Sequence, residues 1–232
     1  MAKKANKFLS MQKAIVIALA AVALGVLGYL FSLVVVEAPK GEFEAGVHYI
    51  EIENPRRIRA EKVEIMEFFS YGCIHCYNFD RPLEEWADSR SDTIRFVRTP
   101  AIASDLWEML GRAYFVYEVN KLDERHHIAL FQAIHDARLD LSSPEKLASW
   151  FDGRGITSEE FLKSYRSVEV NNLMSTADRM ARRLKVSSVP TIIVNGKYMV
   201  RITRQVGPAR MLDVMDHLIE MEQAAKQPSA ES

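Results

Sequence analysis

Cysteine is almost absent from this sequence, with two residues in 232. A structural zinc site needs four ligands, and the histidines outside the cysteine region, His48, His126, His127, His135 and His217, are scattered without a metal-ligand spacing. Glycine and proline are modest, at 10 and 8, and there is no internal repeat or low-complexity segment. Charge of one sign is not in excess either: 30 Lys and Arg stand against 31 Asp and Glu, so no nucleic-acid-binding face is implied. With 48% hydrophobic residues, the chain is long enough for one full core plus an appendage.

The appendage is residues 14–36, 23 uncharged positions in a row. As a helix they span about 34 Å, against a hydrocarbon core of roughly 30 Å. A cleaved signal peptide has a shorter apolar stretch and a small-x-small exit; here the exit is Val34-Val35-Val36-Glu37, which favours an uncleaved anchor. A buried core helix fits badly because the segment has no polar face. Lys3, Lys4, Lys7 and Lys13 precede the span, so the positive-inside rule leaves residues 1–13 cytoplasmic and the remainder outside. In a bacterium that places a single-pass protein in the inner membrane, with its domain in the periplasm, where disulfides persist.

Residues 37–44 read as a polar linker, 45–223 as the folded domain and 224–232 as a flexible tail. Residues 49–53 alternate like an edge strand, 62–69 read as a more central one, 77–87 as a helix and 93–97 as the next strand. Helix punctuation then takes over: Ser143-Pro144 is a capping serine before an N1 proline, and Thr157 to Glu160 is a capping box. An all-helical insertion over about 101–186 is expected. Strand character returns at 191–194, Asn195-Gly196 signals a hairpin turn, and a closing amphipathic helix follows Gly207-Pro208.

The two cysteines stand together, in Glu67-Phe68-Phe69-Ser70-Tyr71-Gly72-Cys73-Ile74-His75-Cys76-Tyr77. A Cys-x-x-Cys pair after a strand-like run and before a helical pattern marks a thiol-disulfide redox centre. Residues three apart on a helix lie about 5–6 Å apart, so the pair can close and open with little backbone motion. If Cys73 caps the helix, unsatisfied N–H groups stabilise its thiolate, and His75 can add a donor or a positive charge. Such settings lower a cysteine pKa from about 8.5 into the range of roughly 3.5 to 7.5. A purely structural bridge is disfavoured, since so short a loop contributes only about 2 kcal/mol, and c-type haem attachment requires His where Tyr77 stands.

Together with Val189-Pro190-Thr191-Ile192-Ile193-Val194-Asn195-Gly196-Lys197-Tyr198, this run resembles the bacterial periplasmic DsbA-type thiol-disulfide oxidoreductases, over residues 46–221. The low end of the pKa range just quoted belongs to that family. The resemblance implies an α/β thioredoxin fold with a large all-helical insertion, here preceded by one transmembrane helix. It implies a protein-disulfide oxidoreductase whose only redox group is the Cys73–Cys76 disulfide, with no separate cofactor and no metal. Cys73 would be the exposed sulfur that forms the mixed disulfide, Cys76 the buried resolving partner, His75 an activating neighbour and Glu67 a buried acid relaying the resolving thiol's proton. Val189, Pro190 and Thr191 would form a cis-proline loop that binds an extended substrate chain. The implied partners are reduced, newly exported polypeptides and a quinone-linked membrane reoxidase of DsbB type, and the protein is expected to be a monomer. Two departures stand out: Ile74 replaces the usual proline between the cysteines, and residues 88–97 lack the lysine that often accompanies the acid, offering only Arg90 and Arg95. The first leaves a reductase or dedicated electron donor as the alternative direction; a redox-inert peptide-binding module is the non-enzyme alternative.

Overall fold

The computed structural model describes residues 43–58 and 60–226, with Gly25 alone before them. Apart from Gly25, the expected span over residues 14–36 lies outside the described residues. Among those described, no helix is long and apolar enough to cross a membrane.

Five strands, β1 (Ile50–Glu51), β2 (Val63–Phe69), β3 (Ile94–Pro100), β4 (Thr191–Val194) and β5 (Tyr198–Arg201), form one sheet in the order β1-β5-β4-β2-β3. β2 is an interior strand, parallel to β3 and antiparallel to β4. Parallel neighbours need a crossover, and helix α1 (Ile74–Asp88) supplies it. All seven β2 residues are buried, which accounts for a sequence that is nearly continuous rather than alternating in apolar character. Successive side chains still point to opposite faces. Val63 and Ile65 join Phe79 and Leu83 of α1 and Val214 and Leu218 of the last helix, α7 (Pro208–Lys226). Met66 and Phe68 pack on the other face with Leu184, Ile193 and Met199. Each fully buried side chain of this kind contributes about 1.5–3 kcal/mol.

Between β3 and β4 the chain forms five helices: α2 (Asp105–Val119), α3 (Arg125–His135), α4 (Pro144–Phe151), α5 (Ser158–Tyr165) and α6 (Val168–Arg183). Ser143 caps α4 by accepting from the Lys146 N–H, and Thr157 with Glu160 forms a reciprocal capping box on α5. Such caps are worth about 1 kcal/mol each. The insertion has its own core of Leu110, Leu130, Phe131, Leu147, Phe151 and Phe161, and that core extends to Phe69, Tyr71, Cys73 and Cys76. The cysteines thus sit where β2 runs into the helical block.

The β4–β5 turn has Asn195 at φ 50° and Gly196 at φ 67°, the type I′ geometry of a two-residue hairpin. A Cβ on Gly196 would lie 2.6 Å from the Arg56 carbonyl oxygen, so glycine is required twice over. Two boundaries differ from those read in the sequence. Phe43, placed in the linker, packs against the His48 and His217 rings at 5.4 Å, so the compact unit begins there. At the other end α7 continues to Lys226 rather than fraying after 223, and the Lys226 ammonium donates to the Ala60 and Glu61 carbonyls.

Candidate active site

β2 delivers the chain to a turn over Ser70, Tyr71 and Gly72. The Cys73 N–H donates to the Ser70 carbonyl at 3.0 Å, and the Gly72 N–H to Ser70 Oγ at 3.2 Å. Cys73 is then the N-cap of α1, with φ −102° and ψ 114°. Gly72 leaves room for Trp107 of α2, whose Nε1 would stand 2.9 Å from a Cβ at that position. Both cysteines are free thiols. Cys76 is fully buried, whereas Cys73 retains only 9% of its surface. The expectation of an exposed Cys73 is therefore corrected. Its Sγ faces the Val189 carbonyl oxygen at 3.6 Å, and the residue belongs to the core cluster of the helical insertion. Ile74, 47% exposed, and His75, also exposed, stand beside it at the surface.

The two thiols, joined by a hydrogen bond, have acidities that move in opposite directions. Cys73 is lowered from 9.0 to about 6, chiefly by a hydrogen bond from the Cys76 thiol; partial burial opposes this, and the backbone amides of Cys76 and His75 and the charge of the His75 ring add to it. Helix N-termini act on thiolates in this way. Cys76 moves strongly upward, first through burial, then through its bond to Cys73 and the proximity of Glu67. One sulfur is mostly ionised at neutral pH, and the other holds its proton.

Glu67 is buried in β2, and burial raises its carboxyl from 4.5 to about 8 against the pull of Arg98. The accompanying cation lies outside the stretch from 88 to 97. It is Arg98, directly opposite Glu67 in the parallel β2–β3 register, with Nε 3.5 Å from Glu67 Oε2. Arg98 also reaches Asp80 Oδ1 at 3.2 Å and Glu84 at 3.8 Å. Asp80, on the buried face of α1 one turn after Cys76, meets His127 Nε2 at 3.0 Å, and His127 Nδ1 meets the Tyr71 hydroxyl at 2.7 Å. A second α3 histidine, His135, places Nε2 2.8 Å from the Tyr71 carbonyl oxygen. Arg98, Asp80, His127 and Tyr71 were not singled out from sequence. The available signal was Asp80, an acid four residues after a buried cysteine on the apolar stripe of α1.

The Val189–Pro190 peptide is cis. Pro190 is buried and Val189 partly so; Thr191, which opens β4, donates through Oγ1 to the Ser188 carbonyl at 2.7 Å and pairs with Phe68 of β2. This register sets the loop beside the end of β2 that carries the redox turn. Cys73, Cys76, His75, Glu67 and the 189–191 loop thus converge on one site. Among the described residues, no group of three or more His, Cys, Asp or Glu is placed to hold a metal ion.

The family described as Thioredoxin matches residues 59–216. The thiol:disulfide interchange protein DsbA of Pseudomonas aeruginosa is 35% identical over 195 residues, covering 84% of this chain and 92% of that protein. The protein of the same description from Azotobacter vinelandii is 34% identical over 186 residues, covering 80% and 87%. Among solved structures, Pseudomonas aeruginosa DsbA superposes with a TM-score of 0.74 at 35% identity, covering 79% of this chain and 96% of that one. The oxidoreductase DsbA from Xylella fastidiosa gives 0.74 at 31% identity, covering 78% and 98%.

Proposed function

Because the chain belongs to the DsbA-type thiol:disulfide interchange proteins of the thioredoxin superfamily, we propose that it works in the oxidising direction, passing a Cys73–Cys76 disulfide to reduced polypeptides. It is a protein-disulfide oxidoreductase acting through a redox-active disulfide. The observation that carries the direction is the split between the two sulfurs, with Cys73 lowered to about 6 and Cys76 pushed far up. Whatever stabilises the reduced form makes the disulfide more oxidising.

In this reading a substrate thiolate attacks Sγ of Cys73, the one sulfur of the pair with any access. The Cys73–Cys76 bond breaks, a mixed disulfide forms, and Cys76 leaves with the electron pair and takes a proton from Glu67. A second substrate thiolate then attacks the substrate sulfur of the mixed disulfide and expels Cys73 as its stabilised thiolate. Two electrons and the Cys76 proton remain on the enzyme. Val189, Pro190 and Thr191 would align the substrate chain, since the Val189 carbonyl already faces the sulfur and strand-like docking uses such backbone groups. His75, exposed beside Cys73, supplies positive charge to it.

Residues 14–36 would anchor the protein in the bacterial inner membrane, with this domain in the periplasm. That arrangement would raise its effective concentration near a quinone-linked reoxidase of DsbB type. Equilibration of the intact protein with glutathione buffers tests the direction. A potential well above the thioredoxin value of about −270 mV is expected; a value at or below it assigns the reductase role that Ile74 permits.

A further inference from the structure

In the reading above, the proton exchange at Cys76 rests on Glu67, yet Glu67 shares its one near cation among the described residues, Arg98, with another buried acid. Arg98 Nη2 contacts Asp80 Oδ1 at 3.2 Å, while its Nε stands 3.5 Å from Glu67 without forming a hydrogen bond. Asp80 therefore has the better claim on the guanidinium. What secures that claim is the third member of the line. His127, 3% exposed, is enclosed by the rings of Phe69, Tyr71, Tyr114, Tyr117 and Phe131. The Tyr71 hydroxyl, whose ionisation burial pushes well above the usual range, is a donor to Nδ1. Nε2 must then carry the hydrogen that Asp80 accepts, and the tautomer is fixed by its two neighbours. Burial outweighs Asp80 and lowers His127, so the ring serves as a neutral donor. For Asp80, burial is offset by the hydrogen bonds from His127 and Arg98 and by the charge of Arg98, and the net direction is down.

We infer that His127, held by Tyr71, is a positioning residue for thiol-disulfide exchange: it keeps Asp80 as the anion that retains Arg98 and so leaves Glu67 free to carry a proton beside Cys76. The charged and titratable groups facing this line are Glu67 from β2, Arg98 from β3, Asp80 and Glu84 from α1, and Tyr114, Tyr117 and Glu118 from α2. Glu84 and Glu118 are the less enclosed members. Two desolvated carboxylates around one guanidinium cannot both ionise without cost. Weakening the hold on Asp80 moves the negative charge toward Glu67.

The infrared carbonyl band of the protonated Glu67 carboxyl, assigned by its loss in Glu67→Gln and titrated in the intact reduced protein, reads this directly and is independent of any exchange assay. His127→Leu, which donates nothing to Asp80, is expected to move the Glu67 midpoint down by at least about one pH unit, a tenfold change in its protonation equilibrium. His127→Gln, which keeps an N–H for Asp80, is expected to restore it. The pH dependence of mixed-disulfide formation should move with the midpoint. If His127→Leu lowers thermal stability but leaves the Glu67 titration in place, His127 is structural and the inference is overturned. Should His127→Leu not fold, Asp80→Asn decides, since it preserves side-chain size and leaves Arg98 to Glu67 alone. The midpoint must then fall, and an unmoved one rejects the inference. If the titration shifts and the exchange profile does not, Glu67 is not the donor to Cys76, and it is that role which fails.

Discussion

Glu67 and Arg98 stand opposite each other on adjacent parallel strands, and their side chains meet beneath the redox turn. Glu67 is buried almost completely, whereas Arg98 keeps 15% of its side chain exposed. Arg98 also serves Asp80, so one cation balances two buried acids.

Removing that cation should be costly. Arg98→Met would leave Asp80 ionised without a counter-charge or force it to take up a proton, and breaking buried pairs of this kind costs about 3–5 kcal/mol. Urea denaturation at neutral pH measures the loss. Arg98→Lys, which keeps the charge but not the fork, is expected to recover part of it.

Glu67→Gln should separate stability from chemistry. The carboxyl titrates near 8 in the folded protein and 4.5 otherwise, so it holds a proton that the unfolded chain releases between those values. Folding stability from this group is therefore lost as pH rises from 4.5 through about 8. The glutamine variant should lack that decline and be the more stable protein at alkaline pH. Its attack by substrate thiolates at neutral pH should be slower by about a hundredfold, the lower range of general-acid effects, as stopped-flow fluorescence would record.

The stability difference between reduced and oxidised protein should itself depend on pH. Cys73 falls from 9.0 to about 6 on folding of the reduced form, a stabilisation fully present above pH 9 and lost as pH falls through 6. The oxidised form has no such thiol. Thermal melts of the two forms should diverge in favour of the reduced one as pH rises from 6 to 9. Parallel curves would contradict the lowered value at Cys73.

Gly72→Ala should act on Trp107 rather than on the fold. The new Cβ would meet the indole at 2.9 and 3.2 Å, and the ring is only partly buried, so it can swing outward. A red-shifted tryptophan emission with a stability loss of no more than about 1 kcal/mol is expected, because the glycine is not at positive φ.

Much of this arrangement was legible in the chain because its signals are local. β2 announced itself through a largely apolar run interrupted only by Glu64 and Glu67, the redox helix through Cys73 and Cys76, and the hairpin through Asn195-Gly196. α4 and α5 were legible through Ser143 and Thr157. What escaped was set by pairing between distant segments. Arg98 lies one residue beyond the 88–97 stretch, and the β2–β3 register identifies it as the partner of Glu67. His127 reaches Asp80 across 47 positions and Tyr71 across 56; in sequence it is one histidine of six. The contact of Cys73 with the Val189 carbonyl spans 116 positions, and no local pattern encodes it.

Tyr71 is gripped at both ends by a single helix, its hydroxyl by His127 and its carbonyl by His135. The loop that bears the reactive sulfur is thus bolted to the inserted lobe as well as hung from β2. Trimming this protein to a minimal sheet with its two flanking helices would remove half of that mounting, and the cysteine pair would lose its alignment even if the smaller scaffold folded.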